Sequence, residues 1–233
     1  MVIVAGNTAR DEAIMSYGSI LFDVDGTLLD SIEDLANSMN TVLRRFNLPE
    51  HSIEAYKYFV GDGMENLVVR SLPEIERDDR RLIEQCIASM REEYSRNWNV
   101  RTRPYAQIPE LLDVLEQRKI RMAVLSNKPD DFTRMMVREL LPGRRFEIVM
   151  GERPAVPRKP HPAAALEIAR LMNIPPSRFL YVGDTATDMK TAKAAGMFAV
   201  GVLWGFREAG ELLASGAELL IHQPLELLDL LDR

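Results

Sequence analysis

Cysteine is nearly missing from this chain. A single one, Cys86, stands among 233 residues, which excludes an intrachain disulfide and fits a reducing compartment, the cytoplasm. Cys86 continues a helical pattern with Leu82, Ile83, Ile87 and Met90, and no histidine stands near it in the chain. It reads as a buried structural thiol, not a nucleophile. Long apolar runs are missing too. The longest, Ala194 to Phe206, contains three glycines and falls short of the ~20 residues that a bilayer span takes. Residues 1–6 are apolar but lack a basic flank and a long apolar core, so no signal peptide is expected. A basic surplus is also absent. The net charge of -6 and pI near 5.3 argue against nucleic-acid and acidic-membrane partners. An acidic protein that handles phosphate esters then needs local positive charge, from a metal or a few placed cations.

What is present is organised around residues 19–30. Ser19-Ile20-Leu21-Phe22 reads as a strand buried on both faces, as in a parallel sheet. Asp23 and Asp25 follow at its C-terminal end, where open α/β sheets bind ligands. Two close carboxylates repel unless a cation or a shared proton intervenes, and hard oxygen ligands suit Mg²⁺. Gly26 permits close backbone approach to a ligand, and the Thr27 hydroxyl can tie the turn.

With 46% hydrophobic residues, the chain can bury a sizeable core, or one domain carrying a smaller second one. Residues 1–15 lack periodicity and read as a tail, with Met15 an alternative start. Ser31 and Asp34 have the pattern of a capping box opening a helix through Phe46. From His51 to about Asn99 the pattern is all helical, with pieces at roughly 52–60, 63–72 and 78–98, broken by Gly61-Asp62-Gly63. Beyond Pro104, short apolar strands (121–125, 146–150, 178–182, 198–202, 218–221) alternate with helices (108–118, 129–141, 162–172, 188–195, 208–215, 224–231). Such βαβ units predict an α/β fold: a doubly wound, mostly parallel, Rossmann-like sheet with helices on both faces. The core is expected over 16–31 and 104–233, with 32–103 as a helical insertion after the first strand.

Three further clusters sit at strand ends or helix starts: Ser126-Asn127-Lys128, Arg158-Lys159-Pro160, and Gly183-Asp184 with Asp188. A parallel sheet gathers its strand C-termini on one rim, so these should converge on Asp23 and Asp25. Phosphoryl transfer needs positioning and electrostatic stabilisation of charge on three equatorial oxygens. The Ser126 hydroxyl and the Asn127 backbone N–H can donate to one of them. Lys159 can offset phosphate charge and hold a nucleophile ionised, and Asp184 adds a third carboxylate for Mg²⁺. Asp188 is an outer ligand or orients Lys159, and it also suits a helix N-terminus by charge alone.

These residues resemble the haloacid-dehalogenase-like phosphohydrolases. Asp23-x-Asp25-Gly26-Thr27 looks like that family's first motif, Ser126 its second, Lys159 its third and Gly183-Asp184 with Asp188 its fourth. The resemblance implies that Asp23 is a nucleophile forming an aspartyl-phosphate and Asp25 the general acid and then base. It implies Mg²⁺ held by Asp23, the Asp25 carbonyl and Asp184, and a small C1-type cap formed by the insertion. Within the family Asp25 favours ester hydrolysis over dehalogenation. A Schiff-base lysine in the cap, with Lys57 the candidate, has little to support it. The segments 125–129, 158–160, 202–207 and 60–63 are similar to the phosphoglycolate-phosphatase branch. Small-ester recognition would then fall to the backbone around Gly61 and Gly63 and to Arg70, though Arg70 on a helix is usually solvated. Trp204, Phe206 and the methionines read as packing, and His161 as a loop residue. The expected activity is Mg²⁺-dependent hydrolysis of a small phosphate monoester by a monomer or homodimer. Alternatives are a pyrophosphatase or sugar-phosphate phosphatase, a β-phosphoglucomutase-like isomerase, and a non-enzymatic phosphate or nucleotide sensor.

Overall fold

The computed structural model describes residues 2–3 and 17–231. Its strands are β1 (Val2–Ile3), β2 (Ser19–Phe22), β3 (Leu29–Asp30), β4 (Arg103–Pro104), β5 (Arg121–Pro129), β6 (Phe146–Glu152), β7 (Phe179–Gly183), β8 (Phe198–Val202) and β9 (Leu219–Ile221). Its helices are α1 (Ile32–Arg45), α2 (Ile53–Phe59), α3 (Met64–Ser71), α4 (Arg80–Asn97), α5 (Ile108–Gln117), α6 (Asp130–Leu140), α7 (Ala163–Leu171), α8 (Ala186–Ala195) and α9 (Ala209–Ala214). The main sheet has the order β1-β9-β8-β7-β2-β5-β6 and is parallel except for β1. The doubly wound α/β expectation therefore holds. Of the segment read as a tail, Val2–Ile3 add an antiparallel edge strand. The remainder, Met15 included, lies outside the described residues. Among the described residues, no helix is long and apolar enough to cross a membrane.

The sheet is covered on both faces, and its central strands β2 and β7 are accordingly buried at every position, not at alternate ones. Ile20, Phe22, Met122, Val124, Leu180 and Val182 face the core built with α1, α5 and α6. Leu21, Ala123, Leu125, Phe179 and Tyr181 face α7 and α8. All four residues of β2 are buried, and each large apolar side chain so placed contributes roughly 1.5–3 kcal/mol. That central strand fixes the position of whatever follows it.

Helices α1 to α4 form the insertion, in which α1 packs on α2 and α4, and α3 on α2 and α4. The chain leaves through β3 and returns through β4, and the two pair antiparallel, Leu29 opposite Pro104. The expected capping box at α1 does not form. Ser31 makes no cap bond; its hydroxyl donates to Asp25 Oδ1 at 2.5 Å. Asp34 instead accepts from the backbone N–H groups of Arg101 and Thr102 and from the Thr102 hydroxyl at 2.7 Å. Ser31 is taken by the preceding turn and Asp34 by the segment that leads into β4, and a buried carboxylate meeting three donors outweighs one capping bond.

Two other expectations shift. Helix α8 starts at Ala186 and not at 188, because Thr185 and Asp188 form a reciprocal capping box. The C-terminal segment Pro224–Leu230 is a 3₁₀ helix, not an α-helix.

Candidate active site

Strand β2 ends at Phe22, but its ladder continues one residue: Asp23 N–H donates to Val182 O at 2.9 Å. The chain then turns sharply. The N–H groups of Thr27, Leu28 and Leu29 all reach back to the Val24 carbonyl, and Gly26 takes φ +85°. Asp23 thus sits at the rim of the sheet, with Asp25 above it in the turn.

The other clusters arrive as the parallel topology requires. Lys159 Nζ donates to Asp23 Oδ1 at 2.8 Å, Asp188 Oδ1 at 2.7 Å and Leu125 O at 3.2 Å. An ammonium has three donors, so all of them are engaged. Asp188 is equally complete. Its Oδ1 also accepts from Tyr181 O–H, and its Oδ2 accepts from the Thr185 N–H and hydroxyl. Four donors fill its four lone-pair positions, so Asp188 anchors Lys159 and caps α8.

Asp23, Asp184 and Asp188 place one oxygen each within 4.8 Å of one another, all buried. Burial, then the Asp188 charge, push Asp23 up to about 7 against the pull of Lys159. Asp184 is raised for the same reasons, burial first, then Asp188 and Asp23. Burial by itself would lower Lys159, but Asp188 and Asp23 reverse this and hold it well above the ordinary lysine value. A crowded, desolvated set of hard oxygens that binds protons this readily is a set suited to a divalent cation.

Asp184 is held by atoms of two loops. Thr27 Oγ1 donates to its Oδ1 at 3.1 Å, and the Phe206 N–H to its Oδ2 at 2.8 Å. Gly26 and Gly205 close on it from either side: a Cβ at Gly26 would lie 2.1 Å from Asp184 Oδ2, and one at Gly205 2.4 Å from Asp184 Cβ. Gly26 and Thr27, expected to face the ligand, therefore face Asp184. Trp204 and Phe206 do more than pack. The Trp204 indole donates to Thr27 O at 3.0 Å, which locks the 204–206 segment to the first turn.

The ladder of β5 with β6 breaks register between Leu125 and Pro129, which turns Ser126, Asn127 and Lys128 inward. Ser126 Oγ accepts from the Lys128 N–H at 3.1 Å, leaving its own proton to donate into the cavity it lines. The side chain of Asn127 is engaged by the scaffold. Its Nδ2 donates to Gly61 O at 3.1 Å and Lys159 O at 3.0 Å, and its Oδ1 accepts from Lys159 N–H at 2.9 Å. Asn127 thus stitches the insertion to the Lys159 loop.

These walls enclose a cavity of about 40 Å³ lined by Asp23, Asp25, Ser126 and Lys128 below. Val60, Gly61, Gly63, Met64, Leu67 and Tyr94 of the insertion lie above it. That is room for a few waters. Gly61 and Gly63 have φ of +119° and +91°, a left-handed path that lets backbone, not side chain, approach the site.

Arg70 is not in the cavity. It pairs with Asp62 and donates to Phe59 O, closing the end of α2. Lys57 pairs with Glu54, one turn away on α2, at 2.9 Å, and His161 accepts from the Ala163 N–H in an exposed loop. The residue missed by motif reading is Lys128. Its Nζ lies 3.2 Å from Asp25 Oδ2 and donates to Tyr94 O–H at 2.9 Å. Its place two residues after Ser126 on a strand end was the only signal. Tyr94 extends the α4 core face, and nothing in sequence points it at the site.

A model of the haloacid dehalogenase-like hydrolases matches residues 20–202. A phosphoglycolate phosphatase of Pseudomonas putida KT2440 is 32% identical over 206 residues, 87% of this chain and 75% of that one. One of Aquifex aeolicus VF5 is 29% identical over 91% of this chain and 96% of its own. Among solved structures, a predicted phosphoglycolate phosphatase of Haemophilus somnus 129PT superposes with a TM-score of 0.86 at 25% identity, covering 93% and 99% of the two chains.

Proposed function

The chain belongs to the haloacid dehalogenase-like hydrolases, and on that premise we propose that it is a Mg²⁺-dependent phosphatase acting on a small phosphate monoester of the phosphoglycolate kind. The observation that carries the reading is the buried meeting of Lys159 with Asp23 at 2.8 Å, inside the carboxylate cluster, with Asp23 lining the cavity. An oxygen of Asp23 attacks phosphorus, and the ester oxygen leaves with a proton from Asp25. Lys159, fixed by Asp188, pulls Asp23 toward its carboxylate form, and the Ser126 hydroxyl donates to a phosphoryl oxygen. Asp25, now a carboxylate, takes a proton from water as that water attacks the aspartyl-phosphate, which frees phosphate, restores the Asp23 carboxylate and returns Asp25 to its acid form. Asp23, Asp184 and the Asp25 carbonyl would hold Mg²⁺, which offsets phosphate charge when bound. Asp188 stands outside that set because its oxygens are taken.

Residues 32–103 act as a cap over this site. Its narrowness supports a leaving group of a few atoms over a hexose phosphate, and Asp25 supports hydrolysis over phosphate sensing, since a sensor needs no acid and base. The lone buried thiol is in keeping with a cytoplasmic enzyme. Hydrolysis of p-nitrophenyl phosphate, phosphoglycolate, pyrophosphate and sugar phosphates, each with Mg²⁺ and with chelator, tests the reading. Metal-dependent turnover with phosphoglycolate foremost is expected; no metal-dependent release of phosphate from any ester refutes it.

A further inference from the structure

We propose that Lys128 is the receptor for a carboxylate on the leaving group, so that the protein selects phosphate esters carrying an acid next to the ester carbon. This rests on the phosphatase reading and names the residue that sets its specificity. Lys128 is buried on the cavity wall. Its ammonium has three donors, of which one meets Asp25 Oδ2 at 3.2 Å and one Tyr94 O–H at 2.9 Å. The third is left for a ligand. The Tyr94 ring also lies under the ammonium, 4.5 Å from Nζ to centroid, which holds the charge in place without neutralising it.

Asp25 is the carboxylate beside this charge, and the facing wall of the cavity is apolar. The cavity is also lined by the apolar side chains of Leu35, Val60, Met64 and Leu67, while Tyr94 O–H sits beside the ammonium at 2.9 Å. Lys159 has its three donors on Asp23, Asp188 and Leu125. A carboxylate entering next to Asp25 would meet like charge in a desolvated space and be rejected unless a cation stood beside it. Lys128 supplies that cation. The 3.2 Å from Asp25 Oδ2 to Nζ also sets a length. A leaving oxygen protonated by Asp25 has its own α-carboxylate within reach of Nζ, whereas a longer chain meets the apolar wall.

The test compares phosphoglycolate with its neutral amide and with ethyl phosphate. In the native protein kcat/KM should favour the acid over the amide by about a hundredfold, the effect of removing one partner of a buried charged contact. In Lys128→Met that ratio should collapse toward one, whatever the absolute rates. An equal fall for all three esters would mean that Lys128 only positions Asp25, and overturns the proposal, as does an unchanged ratio. If the variant does not fold, the native acid-to-amide ratio decides, and a ratio near one overturns it. If the native protein hydrolyses no ester, the phosphatase reading fails separately. Calorimetric titration with glycolate then judges the lysine: saturable binding lost in Lys128→Met supports it, and no binding overturns it.

Discussion

Lys159 Nζ and Asp188 Oδ1 lie 2.7 Å apart across 29 residues and a whole helix. The contact makes Asp188 a support for the ammonium that also meets Asp23. It also places three carboxylates and one lysine in a buried space, and the first two predictions concern that crowding.

Asp23→Asn keeps the shape and removes the nucleophile and one charge. Turnover of p-nitrophenyl phosphate should fall by at least about a thousandfold. Melting temperature should hold or rise, because two carboxylates repel less than three. Activity within about tenfold of native would exclude the covalent mechanism.

Stability of the metal-free protein should fall as pH rises. Asp23 is shifted from 3.8 to about 7 by burial and by Asp188, and Asp184 is raised as well. Raised folded-state affinities mean that the folded chain binds more protons than the unfolded one between roughly pH 4 and 7. The contribution is full below that window and lost as pH passes the folded value. A divalent cation bound to the ionised set cancels the loss. Melting curves with chelator and with Mg²⁺, stepped from about pH 5 to about pH 8, should show a metal-induced rise that grows across the window. A metal-induced shift that is flat in pH contradicts the linkage.

Gly205→Ala puts a Cβ 2.4 Å from both Asp184 Cβ and Gly26 O. Those are a clamped side chain and backbone, so neither gives way cheaply. Overpacking of this kind costs about 1–3 kcal/mol, and displacing a ligand's support weakens metal affinity by about 10–100-fold. Magnesium titration of activity, read beside the melting temperature, should show both changes; unaltered metal affinity would mean that Asp184 does not hold the ion.

Asp34→Ala should loosen the root of the cap. The carboxylate collects the N–H groups of Arg101 and Thr102 and the Thr102 hydroxyl, all of which would be left without it. We expect a loss of about 2–4 kcal/mol by urea denaturation, together with a raised KM. Asp34→Asn, which keeps one acceptor, should recover part of each. Native stability in Asp34→Ala would show that water replaces the carboxylate at that hinge.

Much of the fold was legible because its signals are local. The apolar run at 19–22, the helical rhythm from 32 to 98 and the strand–helix alternation after Pro104 each follow from which faces must be buried. The convergence of Asp23, Ser126, Lys159 and Asp184 was also legible, since parallel strands have only one carboxyl rim to share. Ser31 and Asp34 misled because a capping pattern cannot reveal that a distant donor or acceptor offers more. Lys128 and Tyr94 stayed hidden because one stands in a register break of β5 and the other in a helix packed from a different part of the chain.

By itself, then, the sequence determined the alternation of the main parallel strands with helices, the burial of the central strand and the rim on which the charged groups meet, because backbone periodicity and chain connectivity govern those. The short strands β1, β3 and β4 carried no such signal. Only the tertiary structure decided which of the groups face a ligand and which face one another. Thr27 and Gly26 attend Asp184, Asn127 attends Gly61 and Lys159, Asp188 attends Lys159, and Lys128 looks into the cavity. The physical reason is that hydrogen-bond partners are assigned by three-dimensional proximity in a desolvated interior, where each donor and acceptor must be matched and residue spacing along the chain carries no such constraint.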